Sequence, residues 1–311
     1  MFYWIFSSWD SAILADEMSI EQFPIMAKGG AAAAPDRALD SAAALGKQRS
    51  LFASLSALPA VLVALSGGAD SAYLAWAAQQ ALGERAVSIT ALSASFSRHD
   101  REQVENFISA TAVRHEFIET SEFDNPRYVA NNADRCYHCK DELFAQMDAL
   151  ARTRGVPAIA YGINADDTRD FRPGHRAARE HHVLAPLLDA QLHKDEIRFL
   201  SQQAGLATWD RPASACLSSR VPYGTAVTAE LMDKIDRAEA ALRALDFRQF
   251  RVRAFGEMAR VELAQDEMAR GFEPAMTAAI AEGVKRAGFD TVTLDPEGYR
   301  QGSLNSLLKK H

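Results

Sequence analysis

Cysteine is scarce in this chain, with three thiols in 311 residues, too few for a disulfide scaffold. No window approaches the roughly 18 consecutive apolar residues of a membrane helix, so no membrane partner is expected. Basic residues are outnumbered, 34 Lys and Arg against 41 Asp and Glu, for a formal net charge of -7. A chain-wide positive field that holds nucleic acid by counterion release is therefore absent. Glycine and proline, at 17 and 11, exclude a collagen-like or low-complexity chain. The opening Met1-Phe2-Tyr3-Trp4-Ile5-Phe6 is apolar but short, lacks a basic flank and runs into Asp10, Asp16 and Glu17, a poor secretory signal. An odd, sparse set of thiols without an export signal points to a reducing cytoplasm, where cysteine is more often metal-binding or catalytic than paired.

What is present is apolar material for a real core, 48% of the residues, enough for one large domain or two ordinary ones. Residues 1–50 read as an N-terminal extension. Lys28-Gly29-Gly30, an alanine run and Pro35 carry no apolar period, as in a linker or unstructured leader, and Met18 and Met26 are alternative starts. A helix through Leu51, Leu55 and Leu58 ends before Pro59. From Val61 strands and helices alternate: strands at 61–65, 86–92, 115–119 and 158–161, with helices through Tyr73 to Ala77, 101–114 and 140–154. Such a βαβαβαβ order predicts an α/β fold, a doubly wound parallel sheet, over 51–212. Residues 213–311 predict a smaller C-terminal α+β domain, with helices at 229–245 and 274–287 and strands at 250–255, 259–263 and 291–294. A Pro-bearing loop between Trp209 and Cys216 separates the two.

Ser66-Gly67-Gly68-Ala69-Asp70-Ser71 lies between an apolar strand and a helix. Two glycines allow close approach of an anion, and the free N–H groups of the first helical turn, with the Ser66 and Ser71 hydroxyls, can cradle phosphate. Asp70 suits Mg2+ or a helix cap. The Walker pattern is missing, and the turn holds no lysine. The sequence S-G-G-x-D-S after a strand resembles the PP-loop ATP pyrophosphatases. That resemblance implies ATP binding by Ser66, Gly67, Gly68, Asp70 and Ser71, with pyrophosphate as the leaving group.

Cys136 and Cys139 form a C-x-x-C, and Cys216 is the third thiol. The pair by itself is compatible with a redox couple, half a zinc site or part of an iron–sulfur site. For zinc, His138 or His175 could supply a fourth ligand. The preferred reading takes all three as metal ligands of a 4Fe–4S cluster. Four cysteines are the usual complement, so three leave one iron open to bind sulfide and make the cluster a sulfur carrier.

An ordered set of segments then matches one family: 132–140 around the C-x-x-C, 161–167, Arg172-Pro173-Gly174, Ala185-Pro186-Leu187, 194–198, Cys216-Leu217-Ser218-Ser219-Arg220 and Arg251-Val252-Arg253. Across roughly Leu58 to Leu294 the chain resembles the LarE family of ATP-dependent sulfur transferases, which build the nickel-pincer nucleotide cofactor of lactate racemase and related enzymes. The resemblance implies the substrate pyridinium-3,5-biscarboxylic acid mononucleotide, adenylated with ATP–Mg2+ before sulfur displaces AMP. It also implies the three-cysteine subtype, with Cys216 and Asp70 catalytic and Gly162 and Asn164 at the nucleotide. Ser219, Arg220, Glu239, Arg251 and Arg253 would face the substrate, a task that suits bidentate guanidinium groups. A homo-oligomer and a cysteine desulfurase or other sulfide source are further implied. Ala69 stands where many relatives carry Val and Tyr161 where the family often has Asp; neither change removes a reacting group. A PP-loop tRNA thiolase and a zinc-stabilised nucleotide-binding module remain as alternatives.

Overall fold

Val61, Leu62 and Val63, each fully buried, form an interior strand of the larger sheet. The computed structural model describes residues 39–169, 173–212, 215–300 and 302–304; residues 1–38 and the motif members Arg172, Ala213 and Ser214 lie outside them. Strands β1 (Val61–Ala64), β2 (Ala86–Leu92), β3 (His115–Glu119) and β4 (Ile159–Tyr161) make one parallel sheet in the order β3-β2-β1-β4. Alternation along β1 sends Val61 and Val63 to one core and Leu62 to another. Helices α1 (Ser41–Ser56), α2 (Ala69–Leu82), α3 (Arg98–Thr111) and α6 (Lys194–Gln203) belong to the first side, α4 (Arg135–Arg154) and α5 (Pro173–Glu180) to the second. The doubly wound sheet predicted from the strand–helix alternation is thus present. Chain order reverses at β1, between β2 and β4, and in such sheets ligands bind in the crevice at the carboxyl ends of the strands flanking that point.

The N-terminal boundary differs from the expected one. Helix α1 starts at Ser41, capped by Asp40, whose side chain accepts from Ala43 N (3.0 Å). Ala44, Leu51 and Leu55 are buried beneath it, and Lys47 pairs with Glu196 of α6 (2.7 Å). Residues 41–50 therefore belong to the folded body; the alanine-rich run conceals a helix start because alanine has no periodic apolar signature.

The second sheet holds β5 (Phe250–Phe255), β6 (Met258–Leu263) and β7 (Thr291–Leu294), antiparallel then parallel. Val252, Ala254 and Val261 pack with Ile235 and Leu242 of α7 (Ala229–Ala244) and Val284 of α8 (Pro274–Arg286). Residues from Leu39 onward make one compact unit. Its two sheets are strapped together by the stretch that carries Cys216. Leu217 N donates to Ser95 O (2.9 Å) and Val227 N to Val129 O (2.9 Å). The Asn131 side chain donates to Pro222 O (2.8 Å) and Thr225 O (2.9 Å). Among the described residues no helix is long and apolar enough to cross a membrane.

Candidate active site

The 66–71 turn leaves β1 and opens α2. Gly67 takes φ +78°, and a Cβ there would meet Val104 Cγ2 at 2.9 Å, so glycine is required. Ser71 Oγ donates to Gly68 O (3.0 Å), accepts from Ser66 N (3.2 Å) and lies 3.1 Å from Ser66 Oγ. Gly68 is the N-cap and offers no side-chain cap, which leaves first-turn N–H groups for an anion. Asp70 is not the cap. One of its oxygens, Oδ2, accepts from Lys194 Nζ, while Oδ1 is buried without a hydrogen-bond partner. Burial raises the Asp70 pKa, and Lys194 opposes the rise.

Gly162, just past β4, comes so close that a Cβ would lie 2.8 Å from both Ser71 Cα and Ser71 N. Asn164 is 3% exposed; its side chain accepts from Asp166 N (2.9 Å). The carboxylate of Asp166 then accepts from Lys194 N (2.8 Å) and contacts His193 Nδ1 (2.8 Å). In this way the end of β4 holds the start of α6 and aims Lys194 at the turn. The lysine missing from the turn itself is supplied from far along the chain. Arg211, likewise given no role from sequence, donates to Gly67 O (2.6 Å) and to Asp100 Oδ1 (2.7 Å). Lys194 belongs to a motif block, but nothing local tells which atom its side chain reaches.

The cysteine pair is not in a loop. The helix expected from residue 140 starts at Arg135, so Cys136 and Cys139 occupy one face of its first turn. The segment has no glycine or proline to oppose helix. Cys136 is exposed, and Cys139 and Cys216 are partly so. Burial pushes the Cys139 thiol up to about 12, with Cys216 and Cys136 contributing. The 215–219 turn docks on the start of α4 and on the short helix Pro126–Val129 before it: Arg135 Nη1 donates to Ser218 O (2.7 Å), and Tyr128 Oη and Ser218 Oγ are 2.7 Å apart. Because Leu217 N bonds Ser95 O, just beyond β2, this turn sits at the carboxyl edge of the sheet, as the phosphate turn does. His138 contacts Asp134 (3.2 Å) and His175 packs against Tyr161. Among the described residues no three His, Cys, Asp or Glu side chains form a group that could hold a metal ion, so neither the zinc arrangement nor the expected three-cysteine metal site at Cys136, Cys139 and Cys216 is preassembled.

Three arginines line the other side of that turn. Arg220 and Glu239, 3% and 1% exposed, pair bidentately at 2.8 and 3.0 Å. Burial opposes the Arg220 charge, but Glu239 more than offsets it and raises its pKa. Arg220 Nη1 also donates to Cys216 O (3.1 Å), Ser219 Oγ (3.0 Å) and Ala215 O. Arg253 donates to Glu262 (3.0 Å), Ser219 O (2.9 Å) and Ser303 Oγ (3.0 Å). Arg251 is half-buried over the Tyr299 ring, its pKa lowered by burial and by Arg220. All five expected substrate-side residues thus gather around the Cys216 turn, with Arg220 and Glu239 bonded to each other inside it.

Residues 52–167, which include the phosphate turn and all four parallel strands, match the NAD synthase family. The pyridinium-3,5-bisthiocarboxylic acid mononucleotide synthase of Lactiplantibacillus plantarum is 31% identical over 267 residues, 85% of this chain and 95% of that protein. The chain belongs to the LarE family. An uncharacterised protein of Synechocystis sp. is 41% identical over 253 residues, 81% of this chain and 94% of that protein. One from Methanocaldococcus jannaschii is 26% identical over 174 residues, 56% of this chain and 67% of that protein. ATP use by this LarE-family chain fits its PP-loop domain.

Proposed function

We propose that this protein adenylates a carboxylate of pyridinium-3,5-biscarboxylic acid mononucleotide with ATP and Mg2+, releasing pyrophosphate, and then exchanges AMP for sulfur. Balanced, the carboxylate and ATP give the mixed anhydride and pyrophosphate; hydrosulfide then displaces AMP, leaving a thiocarboxylate and one proton. The observation that carries the reading is the presence of an uncapped phosphate turn and a cysteine turn on one edge of one sheet. Its substrate comes from the 31% identical synthase.

Ser66, Gly67, Gly68 and Ser71 would hold the β- and γ-phosphates, with Gly162 and Asn164 at the adjacent strand end. Lys194 would neutralise charge on the departing pyrophosphate. The buried Asp70 Oδ1 that lacks a donor is a hard oxygen suited to Mg2+. Arg251 is crowded by Arg220 and Arg253, a repulsion that the substrate phosphate would relieve, with Ser219 beside it. Arg220 and Glu239 would shape this pocket from within.

Cys136, Cys139 and Cys216 offer the thiolate donor set that a 4Fe–4S cluster takes, one cysteine short of the usual four. Such a cluster would supply an iron without a protein ligand, able to carry sulfide. A reducing cytoplasm, a homo-oligomer and a sulfide source such as a cysteine desulfurase complete the proposal.

Anaerobic incubation with ATP, Mg2+, sulfide and the dicarboxylate nucleotide tests it. AMP, pyrophosphate and thiocarboxylate should appear together, with the protein mass unchanged. Loss of sulfur from Cys216 would make that thiol a sacrificial donor, and AMP without thiocarboxylate would refute the proposal.

A further inference from the structure

Arg135 is 4% exposed, yet its bonding partners are neutral: the Ser218 carbonyl, the Asn131 amide oxygen and the face of Tyr223. The other buried arginines are each paired with a carboxylate, Arg220 with Glu239 and Arg253 with Glu262. Among the described residues no carboxylate is paired with Arg135. A guanidinium stays charged in a protein, and a buried charge without a counter-ion is costly. Sulfur stands beside it. Arg135 Nη2 is 4.0 Å from Cys136 Sγ, and Nη1 holds the carbonyl of Ser218, two residues past Cys216.

We propose that Arg135 is the charge-compensating residue of the sulfur site: its guanidinium, fixed between Cys136 and the Cys216 turn, balances anionic sulfur and marks where an incoming hydrosulfide anion binds. This inference rests on the cluster reading above. It gives the C-x-x-C helix a second task. The helix carries two thiols and, one residue earlier, the cation that offsets them. Because Nη1 is committed to Ser218 O and Asn131 Oδ1, the group is held in place rather than free to follow solvent.

The test compares the full-length protein with R135K and R135Q, each reconstituted anaerobically with iron and sulfide. Two readouts are needed besides activity: the cluster's midpoint potential and its affinity for added hydrosulfide, followed spectroscopically. R135Q should shift the potential to more negative values, since lost positive charge disfavours the reduced state. It should also weaken hydrosulfide binding roughly tenfold, the scale of one charge-assisted contact. R135K keeps the charge and should fall close to wild type, with ATP affinity unchanged in all three. Unchanged potential and affinity in R135Q would overturn the inference. If R135Q takes up no iron but R135K does, charge is again the deciding property; equal loss in both means that the Ser218 bond matters instead and overturns it. A wild-type protein that takes up no iron removes the cluster reading itself, a failure visible before any variant is compared.

Discussion

Lys194 and Asp70, 124 residues apart in sequence, meet at the phosphate turn, where the ammonium donates to Asp70 Oδ2. Without this contact, burial and Asp167 would both favour a protonated Asp70, with only Asn164 left to oppose them, and a protonated carboxyl is a poor Mg2+ ligand. Lys194→Met should therefore lower substrate-dependent pyrophosphate release by roughly 10- to 100-fold, as expected for loss of a charged hydrogen bond. Asp70→Ala should suppress AMP formation as strongly. The double variant should be little worse than either single one, because both changes disable one unit. Additive losses in a pyrophosphate-release assay would show that the two residues act separately.

Gly162 permits the end of β4 to touch the start of α2. A methyl group there would sit 2.8 Å from the Ser71 backbone and 3.1 Å from Asp70 C, contacts that no side-chain rotation can relieve. Gly162→Ala should destabilise the protein by about 1–3 kcal/mol, the usual cost of forced overpacking. ATP binding should weaken as well, since the displaced backbone belongs to the phosphate turn. Thermal unfolding with and without ATP measures both. A Tm and an ATP-induced shift equal to those of wild type would mean that the contact is unimportant.

Much of this arrangement was legible in residue order because it depends on local signals. Apolar Val61-Leu62-Val63 followed by Gly67-Gly68 identifies a buried strand and an anion turn without any knowledge of the rest. Alternation in Arg251-Val252-Arg253 likewise identifies β5, whose polar residues proved largely buried. Illegible from sequence were contacts across long separations: Lys194 with Asp70, Arg211 with Gly67 O, and Arg135 with Ser218 O. The start of α4 was missed for another reason: Asp134 is a residue type that caps helices, but the polar residues after it show no apolar period, and Asp134 makes no side-chain cap bond. Only the start of helix α1 was obscured, by Ala42 to Ala44, small residues that mark no amphipathic stripe; its second half was legible from Leu51 and Leu55.

The Arg220–Glu239 pair separates structural from ligand-binding duties. Removing one member of a buried pair strands the other, at a cost of about 3–5 kcal/mol, and Glu239→Gln should show destabilisation of that order in urea. Arg243, 3.6 Å from Glu239, would soften the effect of Arg220→Met. Replacing both, as Arg220→Met with Glu239→Leu, should recover much of the stability because no charge remains buried. Thiocarboxylate formation should stay low even so, since the carbonyls of Ala215 and Cys216 lose the donor that holds them. Recovery of both stability and activity in the double variant would rule out a positioning role.

His115 links pH to the base of the phosphate turn. Its Nε2 lies 2.8 Å from Thr90 Oγ1, and that hydroxyl donates to Leu65 O (2.7 Å), immediately before Ser66. Since the hydroxyl proton is committed to Leu65, the ring must donate to Thr90, which assigns the neutral tautomer with its proton on Nε2. Burial pulls the His115 pKa down from 6.5 to about 4, with Glu116 opposing. Between those values the unfolded chain binds a proton that the native protein does not, so stability falls as pH drops from about 6.5 towards 4 and is unaffected above that range. His181 acts in the opposite sense: burial lowers its pKa, but Asp148 and Asp141 override this and raise it, so its contribution is complete below about 6.5 and fades as pH rises through the raised value. The informative quantity is therefore the difference in unfolding free energy between wild type and His115→Gln. That difference should move in favour of the variant steadily from pH 6.5 to 4.5 and stay flat from pH 7 to 8. A difference constant across the whole range would mean that His115 titrates alike in the folded and unfolded chains.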